Sequence, residues 1–145
     1  MTTTNPEYRT LDGQPVSVRT KLAAIWTSFM FFYAYVDILN FYTPGTIEDI
    51  LDGRVFEFDV SQTFSVSALF LMAVPIFMVT LSTLLPARAT RITNLIVVAL
   101  YIPVTVFNIL GASWVLFYGL GIAFELLLLA LVVRLVLTWP RTSGR

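Results

Sequence analysis

The sequence contains no cysteine and no histidine. Their absence excludes disulfides, thiol redox chemistry, zinc sites of the usual ligands, bis-histidine haem and every catalytic triad that relies on imidazole. Charge is scarce as well: charged residues make up 12% of the 145 residues, against roughly 25% in an ordinary soluble domain. The 9 basic residues balance 9 acidic ones, so there is no basic field to hold nucleic acid and no acidic tail to recruit basic partners. There is a single lysine, Lys21, at the edge of an apolar stretch, which leaves no amine for a retinal-type Schiff base inside a bundle. The chemistry that remains is carboxylate, phenol, hydroxyl and amide. No catalytic residue, metal site or cofactor is expected from this inventory.

What the chain has in abundance is apolar surface, 57% of its residues. Four stretches are long enough to cross a hydrocarbon core of about 30 Å, which takes roughly 20 helical residues. They are residues 22–43, 63–85, 92–110 and 113–138. The fold class that follows is all-α: an integral membrane four-helix bundle, antiparallel, in one domain over residues 21–139 between polar tails at 1–20 and 140–145. The first stretch begins after a polar segment, is too long for a signal-peptide core and ends in Tyr42-Thr43-Pro44-Gly45, so it is expected to stay in the mature protein.

Two connections are short, Pro86 to Arg91 and Gly111-Ala112. The first connection is longer and carries Thr46-Ile47-Glu48-Asp49-Ile50-Leu51, with Thr46 as N-cap, early carboxylates that suit the helix dipole, and Ile47, Ile50 and Leu51 on one face. A short amphipathic helix at the membrane surface is expected there, closed by Asp52-Gly53 and followed by a loosely alternating extended segment, Val55 to Val60.

The basic residues sort by side. Arg9, Arg19, Lys21, Arg88, Arg91, Arg134, Arg141 and Arg145 fall in segments on one side of the four spans; Arg54 alone falls on the other, beside Glu48, Asp49, Asp52, Glu57 and Asp59. Orientation follows the Lys/Arg bias of short loops, so both termini are expected in the cytoplasm and the acidic connection outside. For a multi-pass protein of the bacterial cytoplasmic (inner) membrane, Trp26, Trp114 and Trp139 then sit near the boundaries.

Asp37 and Glu125 are the intramembrane carboxyls, each costing roughly 2.5 kcal/mol or more at a helix centre on insertion scales. Tyr33, Asp37 and Asn40 share a face of the first helix by i, i+4, i+7 spacing; Tyr101, Thr105 and Asn108 repeat it on the third. Trp114, Tyr118, Gly121 and Glu125 follow at intervals of 4, 3 and 4 on the fourth, and Ser61, Ser65, Ala68, Met72 and Pro75 line the second. The expectation is an outward-facing polar pocket built on Asp37, Glu125, Tyr33, Asn40, Tyr101, Asn108 and Tyr118, above an inner half that is mostly Leu, Val, Ile and Phe. Arg134, nine residues below Glu125, snorkels away. Two carboxyls without a counter-ion suit proton exchange or capture of a cation. The same side chains also serve as helix-to-helix glue, at about 0.6 kcal/mol per pair. Pro75 and Pro103 suit packing more than hinges.

Lys21-Leu22 through Trp26, Tyr33-x-Tyr35-x-Asp37-Ile38, Pro44-Gly45, Met72-x-x-Pro75-Ile76-x-Met78, Leu81-Ser82, Arg91-x-x-Asn94, Phe117 with Glu125, and Trp139-Pro140 resemble an uncharacterised family of small bacterial four-helix membrane proteins. The resemblance covers nearly all of the chain after residue 20 and implies fold and membrane location. The family's pattern places a glutamate where this chain has Ala73, so no third carboxylate is present. A looser architectural resemblance is to DoxX-like four-helix proteins.

Three functions fit. The first is a membrane component that binds or transports a proton, a cation or a small amphipathic ligand. The second is a structural or accessory subunit of a homo-oligomer or larger membrane complex. The third, from the DoxX-like resemblance, is a quinone-linked oxidoreductase partner with a borrowed redox centre. Small multidrug transporters carry their key glutamate in the first helix, unlike Glu125. In all three the bilayer is a partner and nucleic acid is not.

Overall fold

The computed structural model describes residues 15–108 and 114–139. In chain order these form α1 (Val18–Asn40), α2 (Thr46–Leu51), β1 (Arg54–Val55), β2 (Phe58–Asp59), α3 (Gln62–Leu84), α4 (Ala87–Phe107) and α5 (Val115–Thr138). The architecture is an all-α bundle of the four long helices. All four are long and apolar enough to span a membrane. Their outward surface agrees with that: Phe70, Leu84 and Leu116 are 71%, 73% and 91% exposed, which water would not tolerate at this density and lipid requires. This is a small multi-pass membrane protein.

The helix ends have local causes. Ser17 and Ser61 cap α1 and α3, each side chain accepting a hydrogen bond from the backbone N–H three residues on. α1 therefore starts at Val18, ahead of the apolar stretch from residue 22. α4 starts at Ala87 rather than 92, and the link from α3 shrinks to Leu85 and Pro86. Pro86 lacks a donor that a helix start would leave idle anyway, and the Thr90 hydroxyl bonds back to the Leu85 and Pro86 carbonyls. Arg88 and Arg91 are thus helical residues, which hydropathy alone assigns to a loop. The Gly111-Ala112 connection lies outside the described residues.

Between α1 and α3 the expected short helix is present as α2, closed at Asp52 and Gly53. Thr46 is its first residue instead of its cap: Gly45, at φ +90°, holds the cap position and turns the chain in a conformation that L side chains rarely adopt. The extended segment is a two-stranded hairpin, with Arg54 opposite Asp59 and Val55 opposite Phe58. Phe56 at its tip packs on Phe107 of α4, and Phe58 on Phe64 of α3, so the hairpin straddles the ends of both helices.

The four long helices form a ring in which α1 touches α3 and α5, and α4 touches α5 and, over a narrower seam, α3. α1 and α4 face each other across the diagonal. The core is a stripe of Leu22, Trp26, Phe29 and Tyr33 from α1 against Met78 of α3, Val97, Val98 and Tyr101 of α4, and Leu129, Val132 and Val136 of α5. Phe29 lies at its centre, edge-on to both Trp26 and Tyr101.

Candidate functional site

The register between α1 and α5 places the site. Phe32 meets Phe124 with ring centroids 5.5 Å apart, Gly121 sits against Val36, and Tyr118 donates to Asn40 Oδ1 at 2.5 Å. These antiparallel contacts put Tyr33 level with Glu125 and Asp37 one turn, about 6 Å, nearer the hairpin end. On the diagonal, Asn108 Nδ2 donates to the Tyr33 hydroxyl at 3.2 Å. Asn108 is the C-cap of α4, so that helix stops at the level of Tyr33, a turn short of Asp37.

The result is a graded series. Glu125 is buried at 2% exposure and Tyr33 at 6%; Asn40, Asn108 and Tyr118 are half-buried; Asp37 is exposed. Tyr33, Asp37 and Glu125 lie within electrostatic reach of one another. Beside Glu125 is the Thr105 hydroxyl of α4, wholly buried. Glu125 Oε2 and Thr105 Oγ1 are the buried side-chain oxygens that lack a hydrogen-bond partner among the described residues. The ion pair found there, Arg54 with Asp49 at 3.7 Å, joins the exposed faces of β1 and α2 and involves neither Asp37 nor Glu125. No group of three or more metal-ligating side chains assembles among the described residues.

Sequence spacing groups seven residues, and the structure divides them. Six fall in the series just described. Tyr101 is committed elsewhere: its hydroxyl donates to the Leu71 carbonyl of α3. Asp37 shares the stripe of Tyr33 but is exposed, because the α4 wall ends below it. On α3, Ser61 and Ser65 are exposed while Pro75 is buried, and Trp114 of α5 is exposed. An open hollow at the hairpin end follows α3 instead, with Phe64, Ala68 and Leu71 along it and Asp59 and Ser67 among its polar lining.

The other half of the bundle is mostly apolar, as expected, with one polar layer inside it. Asn94 accepts from Trp26 Nε1 at 2.7 Å and donates to Ser82 Oγ at 3.4 Å and to the Thr90 carbonyl at 2.8 Å, tying α1, α3 and α4 together. Asn94, Ser82 and Thr90 are all fully buried. The signal was present in the spacing: Thr90 and Asn94 continue the stripe of Tyr101, Thr105 and Asn108 down α4.

A family model described as a family of unknown function, DUF6326, matches residues 16–144. The chain belongs to that family. No curated protein and no solved structure matches it.

Proposed function

We propose that this member of a family without an established activity is a membrane component that binds a proton or a small cation at Glu125, with Asp37 at the mouth of the site. The observation that carries the reading is the Glu125 carboxyl, 2% exposed, with Oε2 outside hydrogen-bond geometry and the neutral Thr105 hydroxyl beside it. An ionised carboxylate in an apolar interior costs several kcal/mol unless it is paired. Among the described residues no Arg or Lys pairs with Glu125. Neutrality therefore comes from a proton, or from a cation held between Glu125 and the oxygens of Thr105 and Tyr33. In the cell we place both termini in the cytoplasm and the hairpin outside the inner membrane, on the Lys/Arg bias of the connections.

Infrared titration of the purified chain in lipid, with and without sodium or potassium, tests this. The expected result is a carboxylic-acid band that responds to pH or cation and is lost in Glu125→Gln. A spectrum that Glu125→Gln leaves unchanged under every condition would sink the reading. It would favour the second one, an accessory subunit, which the internally satisfied Tyr118–Asn40 and Asn108–Tyr33 contacts support.

A further inference from the structure

We propose that Glu125 trades its proton with one face of the membrane only, the face at the hairpin end, and that Asp37 is the port through which the proton passes; this rests on the proton-binding form of the function proposed above. Polar groups lead from Glu125 in a single direction. Tyr33 stands level with it, Asp37 one turn out, and the Asn40–Tyr118 pair near the end of α1. Asp37 is exposed where α4 has ended, three residues before the end of α1 at Asn40, which sets its carboxyl at the hairpin end of the bundle.

The other direction is closed. Below Glu125, Leu129, Val132 and Val136 follow on α5 at 2%, 1% and 0% exposure, opposite Phe29, Trp26 and Leu22 of α1 at 1% or less. The polar groups at that depth, Asn94, Ser82 and Trp26 Nε1, are bonded to one another and offer no step towards Glu125.

The transfer balances without any further reactant. A proton from water at the mouth adds to the Asp37 carboxylate. It then leaves Asp37 for the Glu125 carboxylate across the Tyr33 hydroxyl and intervening water. Asp37 returns to carboxylate, Glu125 ends as the acid, and Tyr33 is neutral before and after. Because Tyr33 oxygen accepts from Asn108, its own O–H remains free to donate. The titratable groups within electrostatic reach of Glu125 are Tyr33 and Asp37 of α1; Tyr101 of α4 is turned to the Leu71 carbonyl, α3 carries none, and on α5 itself Tyr118 is nearly two turns out and Arg134 is exposed nine residues the other way.

The full chain is placed in vesicles, and the Glu125 acid band, assigned by its loss in Glu125→Gln, is followed after a pH jump confined to one side with an impermeant buffer. Orientation is read from thiol labelling of an Asp52→Cys background. The expected result is a fast response only when the jump is on the hairpin side. Asp37→Asn slows it by about 100-fold, Asp37→Glu restores it, and Tyr33→Phe, which keeps the packed ring, also slows it. Equal rates from both sides, or unchanged rates in both Asp37→Asn and Tyr33→Phe, would overturn the port while leaving Glu125 as a proton site. Absence of any Glu125 band in the wild type overturns both.

Discussion

The Tyr101 hydroxyl donates to the Leu71 carbonyl, the acceptor four residues before Pro75 that proline leaves without its helical N–H. α3 runs through Pro75 unbroken because a neighbouring helix supplies the missing donor, as membrane helices require where no water can do so. Tyr101→Phe should therefore destabilise the bundle by about 1–3 kcal/mol, read from the denaturation midpoint in mild detergent. In a Pro75→Ala background, where Leu71 regains a backbone donor, the same substitution should cost about 1 kcal/mol less. Additive losses would show that the two features are unrelated.

Asn94 holds three partners on three helices, and nothing else in that layer can replace it. Asn94→Leu leaves Trp26 Nε1 and Ser82 Oγ buried and unpaired, a loss of about 1–3 kcal/mol per stranded group. Adding Trp26→Phe removes one of those groups, so the double variant should fall less in thermal midpoint than the two single effects summed. A double variant at or below that sum removes the claim that Asn94 works through Trp26.

A Cβ added at Gly121 would meet Val36 Cγ2 at 3.6 Å, an ordinary contact. Gly121→Ala should be neutral or up to about 1 kcal/mol stabilising, since alanine is the better helix former. Gly121→Leu cannot be accommodated on that face and should lower the thermal midpoint by separating α1 from α5. If Leu is tolerated as well as Ala, the close approach of these helices is not needed.

Orientation can be tested directly because the chain has no native cysteine. In intact cells, an impermeant thiol reagent should label Asp52→Cys and leave Thr4→Cys and Thr142→Cys untouched. Labelling of either terminal position reverses the assignment of sides.

The spans were legible because twenty-odd apolar residues between polar punctuation have few other uses. Helical spacing sets Tyr33 and Asn40 on one face of α1, Asn108 on the polar stripe of α4 and Tyr118 on that of α5, but which of them pair is fixed by packing. Three further details were not legible. Arg88 and Arg91 hide the start of α4, because hydropathy weighs charge and ignores the helix-starting role of Pro86. The exposure of Asp37 depends on where α4 stops relative to α1, and a register between helices is a packing property that spacing along one helix does not encode. The Asn94 layer shows in the sequence only as a continuation of the α4 stripe, and spacing does not reveal that the amide meets Trp26 and Ser82 from two other helices.

The narrow seam between α3 and α4 has a consequence for how the chain is made. α1 packs broadly on α3, α4 on α5, and the α3–α4 seam rests on the Tyr101–Leu71 and Asn94–Ser82 bonds. The polypeptide is thus two helical hairpins in succession, divided at Leu85 and Pro86. Synthesis should deliver the first as a self-paired unit, with the second expected to dock along α1 and close its two polar clasps last. A gene divided between codons 85 and 86 should yield two fragments that reassemble in the bilayer, whereas a cut within any long helix should not.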